Sequence, residues 1–296
     1  MVFPLLTQAR APLTYEVTVV NEYGEQYDIS IPAERALTVY VDKRELVTLM
    51  TLGAQPELLV LGYLRNQRLV NSLSEIESIT VDWDVGAAAV KTRHGIKDFT
   101  EKTARRVVTT GCGQGSVFGG LMDEVDKINL PADVFITQGQ LYSLVNTLRL
   151  TETTYKSAGS VHACALFCAS GNGERLLIFV EDVGRHNAID TIAGWMWMNM
   201  ESVDSRLFNT SSDGLVFYTT GRLTSEMVIK SAQMGVPIVV SRSGITQMGH
   251  QVAQAVGLCA IGRATNKHFI CYTHRQRLKL QPELAGIKAR AVTEAL

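Results

Sequence analysis

The feature that most constrains the fold is the regular alternation of extended and helical segments after Gly139. Apolar residues recur there at the helical period or in short runs rich in Val, Ile and Phe. A turn at 170–173 joins the first two strands as a hairpin. Strands that alternate with helices of about 10–15 residues predict a mostly parallel sheet with helices on both faces. The predicted elements are a helix at 140–150, strands at 161–168 and 176–181, a helix at 187–198, a strand at 215–219, a helix at 225–234, a strand at 237–241, a helix at 246–256, and closing strands near Leu258 and at 269–272.

The N-terminal third predicts a smaller α+β unit. Residues 14–41 alternate apolar and polar side chains around a turn, which predicts a hairpin and a third strand at 37–41. Asp42 is placed to cap a helix at 43–52, and Pro56 to open a helix that ends near Asn66. Two further strands are expected at 76–83 and 86–91.

These patterns divide the chain into four parts. Five glycines in the twelve residues 109–120 predict a loop of unusual backbone freedom between the two folded units. We therefore expect an α+β domain at 1–105, a Gly-rich active loop and linker at 106–138, an α/β domain at 139–282 and a tail at 283–296.

Charge and composition exclude several classes of protein. The 28 Lys and Arg residues nearly balance the 29 Asp and Glu residues, so the chain has no overall field for a nucleic acid and any anion site must be local. The N-terminus resembles no secretory signal and no apolar run reaches the roughly 18 residues of a membrane span, so we expect a cytoplasmic protein without membrane contact. Five cysteines without Cys-x-x-Cys spacing argue against a disulfide framework and a zinc knuckle.

Three loops that follow predicted strands each carry an arginine immediately before a helix. They are Glu181 to Asn187, Thr219 to Glu226 and Ser241 to Gly244. Because ligands of open α/β sheets sit beyond the carboxyl ends of the strands, arginines in these loops suit a bidentate grip on phosphate oxygens. The alternative is that the arginines pair with nearby carboxylates such as Glu181, Asp182 and Glu226. Recurrence at one sheet edge favours an anion site, to which Arg263 is a fourth contributor.

Cys112 is the cysteine best placed for chemistry. Its glycine neighbours, Gly111 and Gly113, leave the thiol little cover and put backbone N–H groups nearby, which are conditions that favour a nucleophilic thiolate; an inert thiol fits the same spacing. His186, at the start of a helix, is a hydrogen-bond donor or proton carrier for the same site, whereas His162 is equally consistent with a core histidine. The remaining cysteines are predicted to be buried thiols: Cys164, Cys168, Cys259 and Cys271.

Long motifs in these loops resemble one known family, the formate dehydrogenase accessory sulfurtransferases. The motifs are EDVGRHNAID at 181–190, TTGRLTSEMVIKSAQMGVPIVVSRSG at 219–244, ELVTLMTLGAQPELLVLGYL at 45–64, the Gly-Cys-Gly of Cys112 and YTHRQRL at 272–278. The resemblance covers nearly the whole chain. It implies a larger domain with a cytidine-deaminase-like fold, and a homodimer.

The resemblance also implies the activity and the site. Such a protein takes sulfur from a cysteine desulfurase, carries it as a Cys112 persulfide, and delivers it to Mo-bis(molybdopterin guanine dinucleotide), or a tungsten equivalent. The client is formate dehydrogenase or a related molybdenum or tungsten oxidoreductase. The expected cofactor-binding residues are Arg185, His186, Asn187, Gly221, Arg222, Ser241 and Arg242, together with the segment Ile261, Gly262, Arg263, Ala264, Thr265 and Asn266.

The deaminase resemblance does not extend to zinc. Zinc deaminases place a His or Cys with a following Glu at one helix start and Pro-Cys-x-x-Cys at the next. Here the corresponding helix starts read His186-Asn187-Ala188 and Arg222-Leu223-Thr224-Ser225, which lack the catalytic Glu and both thiolate ligands. We therefore expect no zinc and no deamination.

The sequence also departs from the family at three positions. The family's sulfur-carrying motif is Cys-x-x-Cys, but Gly115 stands where the second thiol is usual, Ile261 replaces an aromatic residue and Thr191 a lysine. A single thiol can carry a persulfide but cannot expel sulfide by closing a disulfide with a neighbour. An alternative function therefore stays open: a chaperone that binds the molybdenum cofactor or a guanine nucleotide and transfers no sulfur.

Overall fold

The structure is a computed structural model that describes residues 3–97, 99, 125, 128–151, 153–171, 173–200 and 214–284. It consists of two sheets with their helices, and two short ribbons. The larger sheet lies in the second half of the chain, where the alternation of strands and helices is regular. In the described part of the chain, no helix is long and apolar enough to cross a bilayer.

The larger sheet has six strands in the order β10-β9-β11-β12-β13-β14. Strands β11, β12 and β13 are parallel, whereas β9 is antiparallel to both of its neighbours and β14 is antiparallel to β13. The sheet is therefore mixed, as the hairpin turn at 170–173 predicts. Its strands are β9 (His162–Ser170), β10 (Gly173–Asp182), β11 (Gly214–Thr219), β12 (Ile238–Ser241), β13 (Cys259–Thr265) and β14 (His268–Cys271).

Helices cover both faces of this sheet, as predicted, although three of its five strand pairings are antiparallel and the sheet is less parallel than predicted. Along β11, Phe217 packs into the core under α4, α5 and α6, while Val216 and Tyr218 face the core under α2. This alternation follows from the two-residue period of a strand. The helices are α2 (Gln138–Leu150), α3 (Thr154–Ala158), α4 (Arg185–Met200), α5 (Ser225–Gln233) and α6 (Gln247–Ala255).

The smaller sheet has five strands in the order β1-β6-β7-β4-β5 and packs against helix α1 (Pro56–Asn66). Its strands are β1 (Leu5–Leu6), β4 (Arg35–Val41), β5 (Arg44–Thr51), β6 (Ile76–Asp82) and β7 (Ala87–Thr92). Two ribbons complete the fold: β2 (Thr14–Val20) with β3 (Gln26–Pro32), and β8 (Ile136–Thr137) with β15 (Leu278–Lys279).

The helix predicted at 43–52 is wrong, because this segment forms strand β5. Asp42 and Lys43 adopt positive φ angles of 46° and 70° and make a two-residue turn that returns the chain along β4. Asp42 accepts a hydrogen bond from the backbone N–H of Thr92 at 2.9 Å, and caps no helix. Leu49 lies opposite Leu37 in the hairpin, so pairing with the adjacent strand β4 overrides the helical spacing of the apolar residues.

The two units are joined by a close helix contact. Helix α1 lies against α4 with Gly62 and Gly194 at the point of contact. A Cβ atom at Gly62 would stand 1.7 Å from the Asp190 carbonyl oxygen, and one at Gly194 would stand 2.0 Å from the Leu58 carbonyl oxygen. The backbones therefore touch directly. The domain boundaries at 105, 138 and 282 stay predictions.

Candidate functional site

The three arginine-bearing loops lie at one edge of the larger sheet. Strands β11 and β12 run in parallel, with Thr219 opposite Ser241, so both end at this edge. Strand β9 runs the other way and begins here, with His162 opposite Asp182 at the end of β10. We call this edge, with the loops at 182–187, 219–225 and 241–246, the arginine edge.

Hydrogen bonds lock the second and third loops together. The buried hydroxyl of Ser241 donates to the Gly221 carbonyl oxygen at 2.7 Å and accepts from the Ser243 N–H at 3.0 Å. The Arg242 N–H donates to the Thr219 carbonyl oxygen at 2.9 Å. Ser241 therefore acts inside the protein, where it fixes the backbone that carries Arg222 and Arg242.

The arginines themselves differ in burial. Arg185 is 9% exposed, and its aliphatic stem lies over Gly221. Arg222 and Arg242 are exposed, with the Arg242 guanidinium 6.0 Å from the centroid of the Tyr155 ring. Within the described residues, neither of these two nor Arg263 forms an ion pair with a carboxylate.

The carboxylates that were the alternative partners are occupied elsewhere. Glu181 accepts hydrogen bonds from the N–H groups of Thr154 and Tyr155 at 2.6 and 3.1 Å. Asp182 is 3% exposed and accepts from the N–H groups of Leu52 and Gly184 at 3.2 and 3.1 Å. Glu181 and Asp182 thus accept hydrogen bonds from backbone N–H groups, and the anion site itself stays a prediction.

His162 belongs to this edge, although the sequence left it undecided. It is half-buried at the start of β9, and its Nδ1 lies 3.5 Å from the Thr220 hydroxyl oxygen. Burial lowers the pKa of His162, and the charges of Arg185, His186 and Arg222 lower it further. The sequence signal was the hairpin itself, because it places the start of β9 beside the end of β10.

His186 is buried next to a row of charged side chains formed by Glu226, Lys230 and Asp190. It is 3% exposed, and its Nε2 lies 3.2 Å from a Glu226 carboxylate oxygen. The other Glu226 oxygen is 3.4 Å from Lys230 Nζ, which is 2.9 Å from Asp190. Among the described residues, His186 Nδ1 has no hydrogen-bond partner.

The inner part of this row of charged side chains is charge-balanced and fully enclosed. Lys230 and Asp190 are both 0% exposed, and Asn66 donates to Asp190 at 2.7 Å. Burial raises the pKa of Asp190 against the pull of Lys230. Burial lowers the pKa of Lys230, but the carboxylates of Asp190 and Glu226 outweigh it, so the pKa is raised overall. Lys230 thus stays charged and holds Glu226 beside His186.

Asn187 serves the packing of the two units. Its amide nitrogen donates to the Met50 carbonyl oxygen at 2.6 Å and to the Asp182 carboxylate at 2.7 Å. Burial raises the pKa of Asp182, partly offset by its hydrogen bonds, among them those from Thr51 and Asn187. The structure thus connects the Arg185 loop to the end of β5, and the role of Asn187 toward a ligand stays a prediction.

The predicted cofactor segment at 261–266 is half enclosed. Ile261, Gly262 and Ala264 are buried, with the Ile261 side chain in the core under α2. Arg263, Thr265 and Asn266 are exposed, and Arg263 has a positive φ of 51° and donates its N–H to the Ser243 carbonyl oxygen at 2.7 Å. This bond brings the segment beside the Arg242 loop. Only the exposed half offers side chains to a ligand.

The cysteines divide into three cases. Cys112 and its Gly-rich loop lie outside the described residues, so its role as sulfur carrier stays a prediction. The predicted burial of Cys164, Cys168 and Cys259 is confirmed, and burial raises the pKa of Cys164 to about 12. The burial predicted for Cys271 is wrong, because this residue is half-buried on β14, which ends the sheet.

The fold and these loops define an α/β protein with a candidate anion-binding site at one edge of a mixed sheet. The chain belongs to the FdhD/NarQ family, which it matches over residues 32–279. It is 30% identical over 278 residues to the sulfur carrier protein FdhD of Bacillus subtilis (strain 168). The alignment covers 93% of this chain and 98% of that protein.

Further comparisons agree with this membership. The chain is 26% identical over 258 residues to the sulfur carrier protein FdhD of Wolinella succinogenes, covering 87% of this chain and 85% of that protein. The crystal structure of a candidate formate dehydrogenase accessory protein from Desulfotalea psychrophila superposes with a TM-score of 0.67 at 24% identity. It covers 90% of this chain and 100% of that one, and shows that the fold is shared.

Proposed function

We propose that this protein is a sulfurtransferase that carries sulfur, as a persulfide on Cys112, from a cysteine desulfurase to the bis-guanylated molybdenum or tungsten cofactor of formate dehydrogenase. Membership of the FdhD/NarQ family and the names of the curated relatives, sulfur carrier proteins, support a sulfur-carrying role. The observation that supports binding of the cofactor as acceptor is the arginine edge. There, Arg222 and Arg242 form no ion pair with a carboxylate within the described residues.

Arginine side chains of the arginine edge hold the guanine dinucleotide arms of the acceptor. Each arm carries phosphates, and arginine is the side chain best suited to bidentate phosphate binding. Arg185 is fixed by its contact with Gly221, whereas the exposed Arg222, Arg242 and Arg263 are available to a ligand. The acceptor is the substrate here, so the protein's task is to bind it and present a sulfur atom.

Sulfur uptake is an exchange between two sulfur atoms. The Cys112 thiolate attacks the outer sulfur of the desulfurase persulfide, the donor's S–S bond breaks, and the donor cysteine leaves as a thiolate. The outer sulfur is then bound to Cys112, and no external oxidant is required. On delivery, the S–S bond of the Cys112 persulfide breaks and Cys112 keeps the electron pair as a thiolate. The outer sulfur becomes a sulfide bound to the acceptor, whose reduced metal supplies the two electrons.

The larger unit is proposed to share the cytidine deaminase arrangement. The strand order supports this, with β9 antiparallel between β10 and β11 and with three parallel strands following it. The buried Ala188 stands where a deaminase has its catalytic Glu, and Arg222 and Ser225 stand where it has thiolates, so the proposal includes neither zinc nor deamination. A cytoplasmic homodimer belongs to the same proposal.

Intact-protein mass spectrometry tests the carrier role. The full chain is incubated with a cysteine desulfurase and cysteine, and we expect a mass gain of one sulfur atom. Cys112→Ala abolishes the gain, whereas Cys168→Ala, at a buried thiol, leaves it unchanged. No gain, or an equal gain in Cys112→Ala, contradicts the carrier role.

A second function, a cofactor-binding chaperone without sulfur transfer, is favoured by one observation. Gly115 stands where a second thiol is usual, so the Gly-rich loop has no resolving cysteine. Cys112→Ser separates the two functions, since both predict that this variant binds guanosine diphosphate. Only the chaperone predicts that it also restores formate dehydrogenase activity in cells that lack the native protein.

A further inference from the structure

Two cysteines meet at the last pair of strands in the larger sheet, β13 and β14. Cys259 opens β13 and Cys271 closes β14. Because Ile261 lies opposite Cys271 in the antiparallel register, Cys259 is the diagonal neighbour of Cys271 on the same face. Their Sγ atoms are 3.9 Å apart.

The two thiols have opposite environments. Cys259 is 0% exposed, while Cys271 is half-buried on β14, which within the described residues pairs with β13 alone. The hydrogen bond to Cys271, with burial, raises the pKa of Cys259. The same hydrogen bond lowers the pKa of Cys271, and the charge of Arg275 adds to this against the effect of burial. The pair thus combines a half-buried sulfur with a fully enclosed one.

We propose that Cys271 and Cys259 form a thiol–disulfide exchange site for low-molecular-weight disulfides, in which Cys271 is the attacking thiolate and Cys259 the resolving thiol. The site rests on the geometry of β13 and β14 and is independent of the sulfur-carrying role of Cys112.

The exchange balances without any further oxidant. The Cys271 thiolate attacks one sulfur of oxidised glutathione, the S–S bond of glutathione breaks, and one glutathione thiolate leaves. Cys259 then gives up its proton to the leaving thiolate or to water and attacks Cys271 Sγ. The mixed disulfide breaks and the second glutathione leaves. One small disulfide is reduced to two thiols while the two cysteines are oxidised to one disulfide.

The register makes the protein disulfide easy to reverse. Closing the bond brings the sulfur atoms from 3.9 Å to about 2.05 Å, and diagonal neighbours start with Cα atoms about 7–8 Å apart, beyond the usual disulfide range. Strand β14 must therefore shift, and its pairing with β13 is already irregular between Gly262 and Thr265. A strained disulfide has an oxidising potential, which suits an exchange site better than a structural bridge.

Mass spectrometry on the full chain tests the site. The parent is Cys112→Ala, so that the thiol of the Gly-rich loop cannot contribute. It is incubated with oxidised glutathione, quenched in acid, weighed intact and mapped by peptides. We expect the loss of two hydrogen atoms, a linkage between Cys259 and Cys271, and full reversal by dithiothreitol.

Matched variants in the same background assign the two roles. Cys259→Ser should accumulate a glutathione adduct on Cys271. In Cys271→Ser, Cys259 should be modified at least about tenfold more slowly, because an enclosed thiol is a poor nucleophile. Cys168→Ser should behave as the parent. An unmodified parent, a stable adduct on Cys271 in the parent, or equal rates in Cys271→Ser would overturn the proposal.

Discussion

Gly221 lies so close beneath Arg185 that a Cβ atom at position 221 would stand 2.6 Å from the Arg185 Cδ atom. The glycine comes from the loop after β11 and the arginine from the loop after β10, so this contact sets where two of the three loops meet. Because Gly221 has no side chain, the aliphatic stem of Arg185 can lie against it. This contact orients Arg185, which is nearly enclosed.

We therefore expect Gly221→Ala to displace Arg185 and to weaken binding of guanosine diphosphate by about tenfold, in line with the loss of one charge-assisted contact. Isothermal titration calorimetry measures the affinity. Gly171→Ala is the matched control, because it lies in the hairpin turn at 170–173, outside the arginine edge, and its added Cβ would meet no heavy atom within 4 Å. Equal affinities of the two variants would show that the Arg185 contact does not shape the site.

The buried row of charged side chains next to His186 predicts a large stability effect. Lys230→Met leaves the carboxylates of Asp190 and Glu226 enclosed without their cation. Breaking a buried ion pair from one side costs about 3–5 kcal/mol of unfolding free energy. Urea denaturation measures the change, and the second substitution Asp190→Asn should recover part of the loss.

A surface lysine provides the comparison for that experiment. Lys91 forms a 2.7 Å ion pair with Glu77, but its side chain is 66% exposed. Exposed pairs contribute about 0–1 kcal/mol, so Lys91→Met should hardly change the unfolding free energy. If both lysine variants lose the same amount, the enclosed charge of Lys230 is not what stabilises the chain.

The elements of the larger unit could be predicted from the sequence because their signals are local. Periodicity and turn residues located β9 to β14 and the longer helices α2, α4, α5 and α6 within a few residues, but not the five-residue helix α3. The arginine edge followed from one rule, that loops after parallel strands gather at one side of a sheet. Strand β5 could not be predicted in this way, since Leu46 and Leu49 also fit a helix and only pairing with β4 decides.

Contacts between distant parts of the chain could not be predicted from the sequence. Asn187 was predicted as a cofactor ligand from its place beside His186, and nothing local shows that Met50, 137 residues away, accepts its hydrogen bond. Lys230 and Asp190 were not singled out, because each looks like an ordinary charge on a helix until α4 and α5 enclose both. Such contacts depend on how the elements pack, and spacing along the chain does not encode that.

His162 predicts a pH dependence of stability. Its pKa is lowered in the folded protein from 6.5, first by burial and then by Arg185, His186 and Arg222. The unfolded chain therefore binds a proton more readily, and stability falls as the pH drops through 6.5 until it lies below the folded pKa. His162→Gln should flatten this slope, as urea denaturation at several pH values below 7 will show.

A second histidine variant isolates the cause of that slope. His250 is exposed at the start of α6, whereas His162 is half-buried. We expect His250→Gln to keep the pH dependence of the native chain. If His162→Gln keeps it as well, protonation of the ring at position 162 does not couple to folding.

Helices α1 and α4 pack together through direct backbone contact at Gly62, so a side chain added there should lower the unfolding free energy. In a helix, Gly→Ala normally adds about 1 kcal/mol of stability through better propensity. At Gly62 the added methyl group would lie 1.7 Å from the Asp190 carbonyl oxygen, so the helices must separate and we expect Gly62→Ala to lose at least about 1–3 kcal/mol. Gly171→Ala, with nothing within 4 Å of its Cβ, should change the unfolding free energy by less than about 0.5 kcal/mol. Thermal and urea unfolding measure both variants, and a Gly62→Ala protein as stable as the native chain would mean that the two helices do not touch there.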